Sequence, residues 1–180
     1  MSNKKGFTLI ELLVVMGILG ILMAVTILVI NPAQYLARAR DTQRINDLQA
    51  VNSAIATFMA NGGSLVSTGT TTAVVTSSGL GTGLATTTTV NTIRATDNTG
   101  WVKGIILSGS GLSTLPIDPS NGTANTTYGY AYMSDGTDYE LNANTMESTY
   151  YTSSPNDVRA NDGGDSTTRY EVGSKLTLMH

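Results

Sequence analysis

Between Phe7 and Ala37 the chain carries one formal charge, the carboxylate of Glu11, and the next is Arg38. Leu12 to Ile30 alone supplies 19 uncharged residues, enough at about 1.5 Å per residue to cross a hydrocarbon layer of about 30 Å. Such a run must find lipid or a bundle of similar helices. A charged side chain in a spanning segment costs about 2.5–3.5 kcal/mol on insertion scales, so Glu11 needs a partner or a task. Lys4 and Lys5 precede the run and favour a cytoplasmic N-terminus, while Arg38, Arg40 and Arg44 beyond it weaken a simple positive-inside count. A secretory signal peptide has its apolar core ahead of the cleavage site. Here the core follows Gly6, so cleavage at Gly6–Phe7 keeps it and creates an α-amino group four residues before Glu11. In a packed bundle, the amine of one copy would neutralise the carboxylate of the next.

The segment Gly6-Phe7-Thr8-Leu9-Ile10-Glu11, behind a short basic leader, resembles the processing site of type IV pilins. Pseudopilins of type II secretion and competence systems share it. The resemblance implies that a prepilin peptidase cuts between Gly6 and Phe7 and methylates the Phe7 amine. It also implies that Glu11 guides copies into a helical homopolymer, driven by a membrane platform and an assembly ATPase. Before assembly the protein would sit in the cytoplasmic membrane, crossing the bilayer once; afterwards it would lie in an extracellular filament. Leu115-Pro116-Ile117-Asp118-Pro119, ahead of a tyrosine-rich segment, resembles the Pro-Asp-Pro entry to the sheet of pseudopilins. Many pilins close a C-terminal loop with a disulfide, but this chain has no cysteine. Its C-terminal region must be held by packing, hydrogen bonds or an ion.

The expected fold class is α+β: a long helical stem, half membrane anchor and half amphipathic, packed on a small antiparallel sheet. Residues 1–6 form the leader, 7–30 the apolar helix and 31–61 the amphipathic helix. Residues 62–99 connect it to the sheet at 100–145, and 146–180 form a polar C-terminal region. Gly17, Gly20 and Ala24 are spaced so that helix backbones can approach closely, or are tolerated facing lipid. Asn31-Pro32 starts a second helix or kinks the first. After it Leu36, Ile45, Leu48, Val51, Ile55 and Phe58 or Met59 recur at three- and four-residue steps. Asp41, Arg44 and Asp47 fall off that stripe at mutual spacings of three, which reads as a solvated face. Gly62-Gly63 ends the helix.

The connection is rich in Thr, Ser and Gly, with Thr70–Thr72 and Thr86–Thr89 as runs. It reads as a solvated loop with weak strands at most, around Val74-Val75, or as a glycosylated surface segment. Trp101 to Leu107 offers an apolar segment to the sheet. Thr127–Met133 and Asp138–Ala143 alternate around Ser134-Asp135-Gly136-Thr137, the pattern of an antiparallel hairpin. Tyr128, Tyr130, Tyr132 and Tyr139 should share one face and pack on the stem or a neighbouring copy. A last strand is expected at Lys175–Met179.

No catalytic constellation is legible, so no enzyme is expected. His180 is the single histidine and ends the sequence. A formal charge of −3 argues against DNA as a partner driven by global charge, and Arg38, Arg40 and Arg44 are interleaved with Asp41 and Asp47. Asn161-Asp162-Gly163-Gly164-Asp165-Ser166 places oxygen donors around glycines, so Asp162 and Asp165 are candidate calcium ligands, with Asp157 as an additional donor. The same residues also make an ordinary exposed turn. The major pseudopilins resemble this in holding calcium in a C-terminal loop. The functions to be weighed are a pilus subunit, a pseudopilin, and a membrane-anchored surface binding protein that never polymerises.

Overall fold

The computed structural model describes residues 6–68, 73–75, 93–120 and 128–179. The basic leader, both threonine runs and His180 lie outside the described residues. The chain divides into two units, Met1–Leu36 and Ala37–His180.

The N-terminal unit holds α1 (Leu9–Ile30) and the first residues of α2 (Pro32–Ala60). Every described side chain of α1 is exposed in the isolated chain. Within it, Leu9–Ile27 is long and apolar enough to cross a membrane. Asn31 ends α1 by taking the left-handed conformation, φ 45° and ψ 73°, while its N–H still reaches the Ile27 carbonyl at 3.3 Å. Asn tolerates that region better than most residues. Pro32 then opens α2 at the position where a missing N–H costs nothing, and Gln34 N–H bonds the Asn31 carbonyl at 3.0 Å. The Asn-Pro pair therefore separates two helices.

The C-terminal unit is built on the rest of α2 and a four-stranded antiparallel sheet of order β1-β2-β3-β4. The strands are β1 (Ala73–Val75), β2 (Tyr130–Ser134), β3 (Tyr139–Ala143) and β4 (Tyr170–Gly173). β2 and β3 form the expected hairpin, in register from Tyr130↔Ala143 to Ser134↔Tyr139. Asp135 shapes its turn by accepting the N–H groups of Thr137 and Asp138 at 2.9 and 2.8 Å. Gly136 supplies the φ of 97° that a side chain would strain.

Period-two alternation puts Tyr130, Tyr132, Tyr139, Leu141 and Ala143 into one core with Leu48, Val51, Ala54 and Ile55 of α2. Leu48, Val51 and Ile55 are fully buried, and truncating such a side chain to Ala costs about 2–5 kcal/mol for Leu or Ile. The tyrosines do face the helix: Tyr130 Oη donates to Asp47 at 2.8 Å and Tyr139 Oη to Asn52 at 2.6 Å. Leu36 and Met59, at the ends of the expected stripe, are exposed.

Three expectations need correction. Asp41 and Arg44 are not solvated; both are fully buried, because Arg44 finds Asp118 and Glu147 from distant sequence and Asp41, paired with Arg44, accepts backbone N–H groups of Glu147 and Ser148. Trp101–Leu107 is not a strand. Gly104 at φ 84° breaks the extended path, yet Trp101, Val102, Ile105 and Leu107 still fill the core as an irregular loop. Trp101 Nε1 donates to the Pro116 carbonyl at 2.9 Å. The last strand is Tyr170–Gly173, not Lys175–Met179. The later segment instead caps the sheet, with Met179 packed beside Ala131 and Met133.

Candidate functional site

The expected processing and assembly residues lie together at the start of α1. Thr8 is extended, φ −81° and ψ 154°, and forms a reciprocal capping box with Glu11. Glu11 N–H donates to Thr8 Oγ1 at 3.3 Å, while Thr8 N–H and Oγ1–H both donate to Glu11 Oε2 at 2.8 and 2.7 Å. This arrangement satisfies two backbone donors that a helix N-terminus otherwise leaves open. It also sets the carboxylate near the positive end of the helix dipole. Both of these hydrogen bonds fall on Oε2, so Thr8 does not use Oε1. Gly6 and Phe7 precede the helix in irregular, exposed backbone.

A second constellation holds the C-terminal unit together. Arg44 Nε and Nη2 donate to both oxygens of Asp118 at 2.7 and 2.9 Å. Its Nη1 donates to Asp41 Oδ1 at 2.7 Å and Nη2 to Glu147 Oε1 at 2.5 Å. Arg40 and Ser120 also donate to Glu147. Asp41 in turn accepts the N–H groups of Glu147 and Ser148 at 2.9 and 2.7 Å. Burial alone would raise the Glu147 carboxyl. The hydrogen bonds from Arg40, Ser120 and Arg44 outweigh it and hold the group down at about 2. Burial works against the charged guanidinium of Arg44, but its carboxylate partners hold that group well above its ordinary value. The Tyr128 ring covers Arg44 at 4.6 Å from its centroid, and Arg38 lies 3.5 Å over the Tyr150 ring. The three arginines thus fasten α2 to the rest of this unit.

The side chains of the Asp162–Asp165 loop are turned to structural work. Asp162 Oδ1 accepts Gly164 N–H at 2.9 Å and its Oδ2 accepts Glu171 N–H at 2.8 Å. Asp157 is paired with Arg159, Nη2 to Oδ2 at 2.9 Å, and Asp165 is exposed. Among the described residues, no three acidic, histidine or cysteine side chains cluster as a metal group. Sequence reading missed Asp118, Glu140 and Glu171 as buried carboxylates and Glu147 as a half-buried one. A Pro-flanked Asp in a sparsely charged chain was the one available signal.

Residues 1–27 match the family model described as the prokaryotic N-terminal methylation motif. The segment opened by the Thr8–Glu11 cap therefore falls within the match to that motif, and it resembles the type IV pilin superfamily. The chain is similar to two fimbrial proteins of Pseudomonas aeruginosa, each 37% identical over 70 residues. The alignment covers 39% of this chain and 44% of each relative, so the chain spans less than half of the relatives it matches. No solved structure matches it.

Proposed function

We propose that this chain is the structural subunit of a type IV pilus-like filament, assembled from the cytoplasmic membrane after cleavage between Gly6 and Phe7. The observation that carries the reading is a single carboxylate, Glu11, at the head of a membrane-length helix whose described side chains are all exposed. Such a surface requires lipid before assembly and other copies of the same helix afterwards. The methylated amine of Phe7 in one copy approaches Glu11 of its neighbour, using the oxygen that Thr8 leaves open. Ion pairing within an apolar bundle favours this register, because either charge alone would be buried without a partner. The chemistry asks nothing of the chain beyond a scissile bond and a nucleophilic amine; the peptidase supplies catalysis, and a membrane platform with its ATPase supplies work.

A pseudopilin is the second reading, favoured by the Pro116-Ile117-Asp118-Pro119 segment that leads into the buried Asp118. Mass spectrometry of the native protein tests the first step. The expected N-terminus is a methylated Phe7, and an intact Met1 or cleavage beyond Ile30 would overturn the filament reading. Electron microscopy of cells with and without the gene then separates surface fibres from a short periplasmic assembly and from an isolated anchor.

A further inference from the structure

The sheet face turned away from α2 carries two buried carboxyls. Glu140 of β3 and Glu171 of β4 sit diagonally across that strand pair, since Glu140 is in register with Gly173 and Asn142 with Glu171. Alternation sends both to one face, and diagonal neighbours lie within reach of side chains this long. Glu140 is 0% and Glu171 1% exposed. Each lends one oxygen to a covering segment. Glu140 Oε2 accepts the N–H groups of Leu178 and Met179 at 2.7 and 2.9 Å, and Glu171 Oε2 accepts that of Ser166 at 3.0 Å. The remaining oxygen of each takes nothing from the rest of the chain; the two carboxyls bond each other instead.

A hydrogen bond between carboxyls needs one proton, because ionised carboxylates only accept. Without it, two like charges would be buried side by side, and admitting water is the nearest relief. The two covers are not tied equally. The 161–168 loop has a second hold on β4, Glu171 N–H to Asp162 Oδ2 at 2.8 Å. Among the described residues, the hydrogen bonds that hold 176–179 to the rest of the unit are the two that end on Glu140. Met179 rests on Ala131 and Met133 of β2. We propose that Glu140 and Glu171 form a proton-operated clasp: the shared proton keeps the 176–179 segment shut over the outer sheet face, and its loss lets that segment lift and bare Ala131 and Met133.

The groups around the pair reinforce its need for the proton. β2 presents Ala131 and Met133 to this face, and neither ionises. The 161–168 loop brings a further acid, Asp162, whose two oxygens are already taken by backbone N–H groups, and the exposed Asp165. Lys175 is paired with Asp135, and the buried Arg169 donates to neither remaining glutamate oxygen. Burial, the bond to Glu140 and the charges of Glu140 and Asp162 outweigh the Ser166 N–H and push the Glu171 carboxyl up to about 8 from 4.5. The folded value is the higher, so the contribution of the clasp is complete below about 4.5 and is lost as pH rises through about 8. The lid is closed in acid and opens in mild alkali. This inference does not depend on whether the chain polymerises.

The test is methionine methyl NMR of the full chain in detergent from pH 5 to 9.5, with Trp101 fluorescence reporting on the core. The expected result is a Met179 methyl that moves from its buried to its solvated position with a midpoint of about 8, while Trp101 stays buried. Glu171→Gln sets a permanent N–H donor against Glu140, so the segment should stay shut throughout. Glu140→Gln still accepts the Leu178 and Met179 N–H groups and should do the same. A Met179 signal that never moves in the wild type would overturn the proposal. So would a transition that persists in either glutamine variant, the outcome expected if His180, ordinarily at about 6.5, were the titrating group. Loss of Trp101 burial at the same midpoint would mean global unfolding and would overturn it too. If the variants fail to fold, carboxyl-carbon NMR of the wild type decides: a glutamate titrating at about 8 supports the clasp, and none above about 6 overturns it.

Discussion

Arg44 Nε lies 2.7 Å from Asp118 Oδ2, both groups almost wholly shielded from water, across 74 residues of chain. Taking an arginine and a carboxylate out of water is costly, and their attraction repays it only when the remaining donors are used. Here Asp41, Glu147 and Ser120 use them.

Arg44→Met should therefore be severe. It leaves Asp41 and Asp118 buried without their countercharge, a loss of about 3–5 kcal/mol. Urea unfolding of the full chain in detergent, monitored by Trp101 fluorescence, measures it. Arg44→Lys keeps the charge but not the planar fork, so its loss should be intermediate. A wild-type midpoint for Arg44→Met would mean that the network contributes nothing to stability.

The same network predicts an acid limit. The folded Glu147 carboxyl sits at about 2 against an ordinary value of 4.5, so its folded value is the lower. Its contribution is complete above about 4.5 and drains away as pH falls toward 2. Unfolding free energy measured from pH 6 to 2 should fall across that window, and Glu147→Gln should be less stable at pH 6 with a flatter profile. A slope as steep in Glu147→Gln as in the wild type would place the acid sensitivity elsewhere.

How much of this is legible in the sequence depends on locality. The cap at Thr8–Glu11, the Asn31-Pro32 break and the hairpin around Asp135-Gly136 rest on residues within a few positions of one another, and the sequence pattern predicts each. Asp41 and Arg44 show the opposite case. Their spacing of three matches a solvated helix face, and nothing nearby indicates that Asp118 and Glu147 arrive to desolvate them. Trp101–Leu107 failed for a related reason: apolar content reports burial, but one glycine at positive φ decided against a strand. Glu140 and Glu171 were not singled out, because Glu140 alternates away from the tyrosine face and no strand was expected at Tyr170–Gly173, while the segment that covers Glu140, Leu178-Met179, comes from 38 residues further along.

Glu11→Ala should leave the C-terminal unit folded and membrane insertion intact or improved, since the apolar segment loses its one charge. Filament yield should collapse at normal protein level, read by shearing and immunoblotting of the surface fraction. Normal yield would remove the Phe7–Glu11 pair as the determinant of assembly. Thr8→Val separates capping from pairing: it loses one side of the box, worth about 1 kcal/mol of helix stability, while the carboxylate stays available, so assembly should persist.

Gly164→Ala should lower the Tm, because its Cβ would fall 1.9 Å from Glu171 Oε2 and 2.7 Å from that carboxyl carbon. Relieving such overpacking typically costs about 1–3 kcal/mol. Combining it with Glu171→Ala should recover part of the loss, since the obstructing group is gone; strictly additive effects would show that the two positions do not touch.

The reach of Arg44 also has a consequence in time. Its partner Glu147 is 103 residues further along the chain, which at ribosomal rates of about 5–20 residues per second is a delay on the order of 5–20 s. Throughout that interval Arg40 and Arg44 lack Glu147, and Asp41, three residues before Arg44, is a counter-charge within local reach. Folding later cancels them with Glu147, Asp41 and Asp118. The charge pattern that follows α1 while the chain is being made is therefore not the one that the folded C-terminal unit carries.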